Sequence, residues 1–166
     1  MSMIEKSLPH KSDTKKTLQD WLDEYSQSHQ NPTNKMIHNI CVPVIFLTSL
    51  GMLWDIPAPT ELPYFNWMFI ALLLVAAFYI RLSFNVTLGI LAMSAVGIAL
   101  LYAFDVMSIL PVWQASLIVF AISWVLQFIG HILEGKKPSF MKDMQFLLIG
   151  PAWVVSHLYN KFGIKY

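Results

Sequence analysis

Four of the five histidines in this sequence lie beside or within strongly apolar stretches, where ionisable side chains are rare and usually functional. They are His29, His38, His131 and His157, and the fifth, His10, lies in a polar N-terminal stretch. Imidazole is a ligand for Fe, Zn, Cu and Ni, so spacing alone leaves the metal open. The four histidines predict a metal site if the fold brings them together, and interhelical hydrogen bonding if it does not.

Polar residues accompany these histidines at helical spacing. Gln127, His131 and Glu134 follow i, i+4 and i+7, which places them along one stripe of a helix. Asn34 lies four residues before His38 and is on the same helical face. Such residues can bind a metal themselves, or they can hydrogen-bond a ring nitrogen of a ligand and fix its orientation.

The elements that carry these residues are predicted to be membrane-spanning helices. The chain has 166 residues, 56% hydrophobic content and a mean hydropathy of +0.55, which is too apolar for an ordinary soluble domain. Four apolar runs have the length of about 17 to 25 residues that a helix needs to cross a bilayer. We therefore expect an all-α integral membrane bundle of about four transmembrane helices, formed by residues 36–54, 64–80, 84–104 and 111–133.

The basic residues predict the orientation of this bundle. Lysine and arginine are enriched in cytosolic flanks, and the loops around Asp55 and Asp105 have acids but no base. Those loops are predicted to lie outside and both termini inside. Glu134 could then be an ordinary interfacial carboxylate that pairs with a neighbouring lysine. The bases that fall inside with four spans are Lys6, Lys11, Lys15, Lys16, Lys35, Arg81, Lys136, Lys137 and Lys142.

A fifth apolar run, 144–159, is predicted not to cross. It contains Gly150 and Pro151 near its centre, and Lys161 and Lys165 follow it. Those two lysines are cytosolic only if the run is interfacial or re-entrant. In that case His157 joins the other histidines at the cytosolic side.

An amphipathic helix is predicted before the first span, with Asp13 as its N-cap. Its apolar face carries residues at i, i+3, i+4 and i+7, and His29 continues that face. The apolar residues are Leu18, Trp21, Leu22 and Tyr25.

A break between this helix and the first span is needed for a common site. Nine residues separate His29 from His38, and one continuous helix would place them on opposite faces. Asn31 precedes Pro32, so we expect one helix to stop near Asn31 and a second, capped by Asn31, to start at Pro32. His38 and His131 are then level, within roughly 4 to 8 Å of one boundary.

Several other functions have no support. Cys41 is the single cysteine and is predicted to be a buried, inert thiol. No basic face interleaved with aromatics indicates nucleic-acid binding, and Gly130 and Gly135 form no dinucleotide-binding loop. No secretory signal is expected, because the first 35 residues are polar.

Two motifs resemble the membrane-bound 2-hydroxy fatty acid dioxygenase family, whose fungal members act in phytosphingosine degradation. They are YSQSHQNPTNKMIHNICVP at 25–43 and WVLQFIGHILEGKKPSF at 124–140, and with the span pattern they cover most of the chain. The resemblance implies an Fe(II)-dependent enzyme that uses O2 to convert a 2-hydroxy fatty acid to a fatty acid one carbon shorter. No nicotinamide or other organic cofactor is implied.

The resemblance also implies site residues. His29, His38 and His131 match the family's motif histidines, which resemble its iron ligands. The fourth ligand is open between His157, Glu134 and water. Within the same motifs lie the candidate catalytic residues Asn34, Lys35, Gln127 and Glu134, and Lys35 is placed to attract the substrate carboxylate.

The expectation is thus one membrane dioxygenase domain over residues 1–166, with a cytosolic tail and helix (1–30), four spans (32–133) and the non-crossing segment (141–159). The expected location is a bacterial inner membrane, or the endoplasmic reticulum in a eukaryote, with the site near the cytosolic face. The domain is expected to be embedded in membrane lipid. The sequence makes no prediction of oligomeric state. The alternatives are a metal-dependent membrane lipid hydrolase, and a non-enzymatic transporter or scaffold, which the apolar centres of spans two and three disfavour.

Overall fold

The computed structural model describes residues 16–58, 65–135 and 146–166. Within these ranges there are six helices and no strand, which confirms the prediction of an all-α fold. The helices are α1 (Leu18–Ser26), α2 (Pro32–Gly51), α3 (Trp67–Ile80), α4 (Phe84–Met107), α5 (Val112–Leu133) and α6 (Ile149–Lys161).

Helix α2 is the centre of the bundle and packs against α3, α4, α5 and α6. Two glycines permit the closest approaches. A Cβ on Gly97 of α4 would overlap the side chain of Leu47, and one on Gly51 of α2 would overlap Ser116 of α5. Small residues at such points let helices pack through direct backbone approach, as is common in membrane bundles.

Two aspartates hold the end of the bundle at which α2 and α4 finish and α5 begins. The Trp54 indole donates to Asp105 at 3.2 Å, and the Trp113 backbone N–H donates to Asp55 at 2.9 Å. The second bond caps the N-terminus of α5, where Pro111 offers no side-chain cap. These are the acids of the two loops predicted to lie outside.

Two helices, α4 and α5, have the length and composition of membrane spans. Helix α3 is apolar but has 14 residues, and the first half of α2 carries Asn34, Lys35, His38 and Asn39. Large apolar side chains are exposed along three helices, among them Leu74 at 67%, Leu100 at 65% and Val125 at 57%. Such continuous apolar exposure is unusual for a soluble protein. Two helices are therefore long and apolar enough to cross a membrane, and the prediction of four spans stays a prediction.

Helix α1 differs from its prediction at both ends. Its N-cap is Thr17, in a capping box with Asp20, whereas Asp13 lies outside the described residues. The helix ends at Ser26 instead of near Asn31, so His29 lies in the link that follows. The expected break is confirmed, because Asn31 caps α2 and Pro32 is its first residue. Along α1 the apolar residues Leu18, Leu22 and Tyr25 are buried, as the pattern predicts.

Helix α6 begins later than the apolar run from which it was predicted. Gly150 and Pro151 lie in its first turn, where a proline costs no hydrogen bond, so they start the helix and do not bend it. Its partners are at the ends of other helices: Trp153 donates to Ser26 at 2.9 Å, Tyr79 donates to the Leu148 carbonyl, and Tyr159 donates to the Asn85 carbonyl at 2.8 Å. Helix α6 therefore lies across the end of the bundle where α2 and α4 begin.

Candidate metal centre

Three histidines from three segments meet at this same end of the bundle. His29 comes from the link between α1 and α2, His38 from α2 and His131 from α5, and each is at most 5% exposed. One ring nitrogen from each can be chosen so that all three lie within 4.8 Å of one another. The ring centroids are 4.3 Å (His29 to His38), 4.9 Å (His38 to His131) and 5.3 Å (His29 to His131) apart. We call this group the histidine cluster.

Backbone carbonyls orient two rings of the histidine cluster. His29 Nδ1 lies 2.7 Å from the Tyr25 carbonyl, and His38 Nδ1 lies 3.1 Å from the Asn34 carbonyl. A carbonyl oxygen only accepts, so each bond requires the tautomer with a proton on Nδ1 and leaves the lone pair on Nε2. Metal-binding histidines are usually held in this way. The donor set thus fits a divalent metal ion.

Glu134 joins α5 to the link that carries His29. Its carboxylate accepts hydrogen bonds from the backbone N–H groups of Gln30 and Asn31, both at 2.8 Å, and from Asn34 Nδ2 at 3.0 Å. Desolvation raises the pKa of Glu134, but the hydrogen bonds from Asn34, Asn31 and Gln30 outweigh it and hold the pKa below its ordinary value. The carboxylate is therefore occupied by backbone and amide donors, and the lysines offered as its alternative partners, Lys136 and Lys137, lie outside the described residues.

Gly130 lets Asn34 reach this position. Asn34 is fully buried and also donates to the Ser28 carbonyl at 3.3 Å. A Cβ on Gly130 would overlap Asn34 Oδ1, so any other residue would displace Asn34 or push α5 away from α2 one residue before His131. This role of Gly130 was not predicted, because a lone glycine in an apolar helix carries no signal of what it faces.

Gln127 faces a small cavity beside the histidine cluster. The cavity measures about 20 Å³ and lies between α2, α5 and the start of α6. Gln127 itself is 6% exposed. The other lining residues are Tyr25, His38, Val42, Ile45, Trp124, Phe146, Leu147 and Gly150.

The structure does not bring His157 or Lys35 into the cluster. His157 is exposed on α6, its Nδ1 bonds the Trp153 carbonyl at 2.8 Å, and its ring packs on the Trp153 indole at 4.1 Å. That indole also lies 5.6 Å from the His29 ring, so Trp153 is a neighbour of both imidazoles. Lys35 lies half-buried in the first turn of α2.

Two aromatic neighbours of the cluster were not predicted as site residues. The Tyr25 ring stacks on His29 with centroids 4.1 Å apart and planes 13° apart, and the Trp153 indole lies beside both rings, 5.6 Å from His29 and 5.4 Å from Tyr25. The spacing of Tyr25 four residues before His29 was the available signal, and it was interpreted only as an apolar helix face. These rings exclude water from one side of the cluster.

Comparison with known proteins gives one family and one curated relative. A family model described as Mpo1-like, 2-hydroxy-palmitic acid dioxygenase, matches residues 15–162. The 2-hydroxy-palmitic acid dioxygenase MPO1 of Saccharomyces cerevisiae is 27% identical over 151 residues, which cover 88% of this chain and 82% of the yeast protein. No solved structure matches the chain.

Proposed function

The chain belongs to the Mpo1-like family, and on that premise we propose that it is an Fe(II)-dependent membrane dioxygenase that shortens 2-hydroxy fatty acids by one carbon. The observation that carries the proposal is the histidine cluster. Three buried imidazoles, two of them held in the tautomer that frees Nε2, match a site for a metal that activates O2. Bound iron would supply the redox chemistry that O2 requires.

In this proposal the residues of the chain bind and position. His29, His38 and His131 hold the metal. Glu134 and Asn34 keep His29 against the other two ligands, because together they join the link, α2 and α5. Both are positioning residues, which is a different role from the catalytic one first considered for them.

The substrate class is consistent with the location of the cluster. The cluster lies at the end of a bundle whose outer surface is apolar along α3, α4 and α5. A fatty acid in the bilayer could place its polar head at this end while its chain stays among the helices. We propose that α2 and α3 also cross the membrane, and that α6 lies on the cytosolic side with the site.

The reaction needs no separate reductant. The reaction of one 2-hydroxy acid with one O2 to give the shorter acid, CO2 and water is balanced in atoms and electrons. The hydroxyl-bearing carbon becomes the new carboxyl group. We expect purified protein with Fe(II) in air to convert 2-hydroxypalmitate to the 15-carbon acid with consumption of O2, which mass spectrometry and an oxygen electrode would measure. No product from iron-loaded, correctly folded protein in several detergents would refute the proposal.

A metal-dependent lipid hydrolase is the competing function for the same cluster. The two functions differ in the metal and in the oxygen requirement. Zinc in the purified protein, with lipid amide or ester turnover under argon, would favour the hydrolase. Iron, with turnover only in air, would favour the dioxygenase.

A further inference from the structure

The Gln127 amide is the unusual feature of the cavity beside His38. Gln127 is 6% exposed and lines the cavity, and within the described residues its amide forms no hydrogen bond. An amide has two N–H donors and one acceptor oxygen, and these can bond a group that lies in the cavity. An amide in this position is suited to a ligand group that enters the cavity.

The size of the cavity limits what that group can be. The cavity of about 20 Å³ is large enough for a water-sized polar group. A hydroxyl has this size.

The charge of the lining points to the same group. None of the described lining residues is a lysine, arginine, aspartate or glutamate, and most are apolar. A neutral polar group therefore suits the side chains of this lining. A hydroxyl is neutral, and it can donate to the amide oxygen or accept from an amide N–H.

We propose that Gln127 hydrogen-bonds the 2-hydroxyl of the fatty acid substrate in this cavity, and thereby selects 2-hydroxy acids over unsubstituted ones. The inference rests on the proposed function for its substrate class. It assigns Gln127 to substrate recognition and leaves metal binding to the histidine cluster. Because the hydroxyl would replace no existing hydrogen bond of Gln127, the residue matters for binding and contributes little to folding.

The test compares two ligands and three proteins. Iron-loaded wild-type, Gln127→Leu and Gln114→Leu proteins are kept under argon, so that no turnover occurs, and the Kd values of 2-hydroxypalmitate and palmitate are measured by competition with a fluorescent fatty acid. Gln114 lies near the other end of the same helix, about 20 Å away, and provides the matched control. Metal content and thermal unfolding are measured for each protein.

We expect the wild-type and Gln114→Leu proteins to prefer 2-hydroxypalmitate. Gln127→Leu should lose about tenfold of that preference, with an unchanged Kd for palmitate, an unchanged iron content and a Tm no lower than wild-type. Equal weakening of both ligands would overturn the inference, because Gln127 would then act on the carboxylate or the fold. An undiminished preference in Gln127→Leu, or no preference in the wild-type protein, would overturn it too.

Turnover of the wild-type protein in air separates this inference from the proposed function. Turnover of 2-hydroxypalmitate together with an undiminished preference in Gln127→Leu overturns the role of Gln127 alone. A preference that depends on Gln127, without oxygen consumption, supports the hydroxyl site and overturns the dioxygenase reaction.

Discussion

At the scale of single residues, the histidine cluster and His157 offer an internal comparison. All four rings are within helices or a tight link, and both His38 and His157 bond the carbonyl four residues earlier through Nδ1. They differ in what surrounds Nε2, since His38 faces two other imidazoles and His157 is exposed. We expect His29→Ala, His38→Ala and His131→Ala each to lose bound iron and activity, while His157→Ala keeps both. Metal analysis of the purified variants measures this, and iron loss in His157→Ala would make it a fourth ligand.

Glu134 gives a second prediction at this scale. In Glu134→Gln one carboxylate oxygen is replaced by an NH2 group, which faces N–H donors and cannot accept from them. The variant should therefore be less stable by about 1 to 3 kcal/mol. Its affinity for iron should fall by roughly 10- to 100-fold, because the link that carries His29 loosens. Chemical unfolding and metal titration measure the two effects. Glu24→Gln is the control, since Glu24 makes an exposed ion pair with Lys16 and should change stability by less than about 1 kcal/mol.

The stabilisation from Glu134 should also depend on pH. Its pKa is lowered from 4.5 in the folded protein, so the carboxylate stabilises the fold fully above pH 4.5 and loses that contribution as the pH falls through the lowered pKa. The difference in unfolding free energy between wild-type and Glu134→Gln should therefore be constant at neutral pH and shrink below about pH 4. A difference that stays constant into the acid range would contradict this role.

At the scale of helices, Gly130 controls how closely α5 approaches α2. In Gly130→Ala the new Cβ overlaps Asn34 Oδ1, and either Asn34 leaves Glu134 or the helices separate. We expect a loss of about 1 to 3 kcal/mol in stability together with weaker iron binding. The exposed neighbour Ile129, changed to alanine, is the control, and it should keep the iron. A stable, iron-replete Gly130→Ala protein would show that the two helices can shift without harm to the site.

The helices themselves were largely predictable from the sequence, and their ends were less so. Hydrophobic periodicity and the Asn31–Pro32 signal gave the start of α2 correctly, because both features are local. The end of α1 was wrong by about five residues. There the backbone N–H groups of Gln30 and Asn31 bond Glu134, which is more than 100 residues away, and no local pattern contains that competition.

The part of the site that depends on how deep each histidine lies below the charged boundary was predictable. Counting inward from the charged boundary placed His38 and His131 at one level, and the break brought His29 to them. The stacking of Tyr25, the packing of Trp153 and the cavity at Gln127 depend instead on the rotation of the helices about their axes. Helix rotation follows from side-chain packing across several elements, which one sequence does not reveal.

At the scale of the whole molecule, the position of α6 relates the site to the membrane. Helix α6 has 13 residues, about 20 Å, which is less than a bilayer core of roughly 30 Å. Its hydrogen-bond partners Ser26, Tyr79 and Asn85 all belong to the end that carries the histidine cluster. An α6 that crossed the membrane would have to leave these partners. The proposed topology therefore requires Lys161 and the cluster to be on one side.

Labelling of single cysteines tests this topology. Cys41 is buried and is replaced by serine, after which Ile109→Cys reports the loop between α4 and α5, and Lys161→Cys reports the end of α6. Ile109 is fully exposed and Lys161 is exposed, so both thiols are accessible to a reagent on their own side. With a membrane-impermeant maleimide and intact bacterial cells, we expect Ile109→Cys to be labelled at once and Lys161→Cys only after the cells are permeabilised. Labelling of Lys161→Cys in intact cells would place α6 across the bilayer, and it would separate the C-terminal end from the cytosolic side on which we place the metal centre.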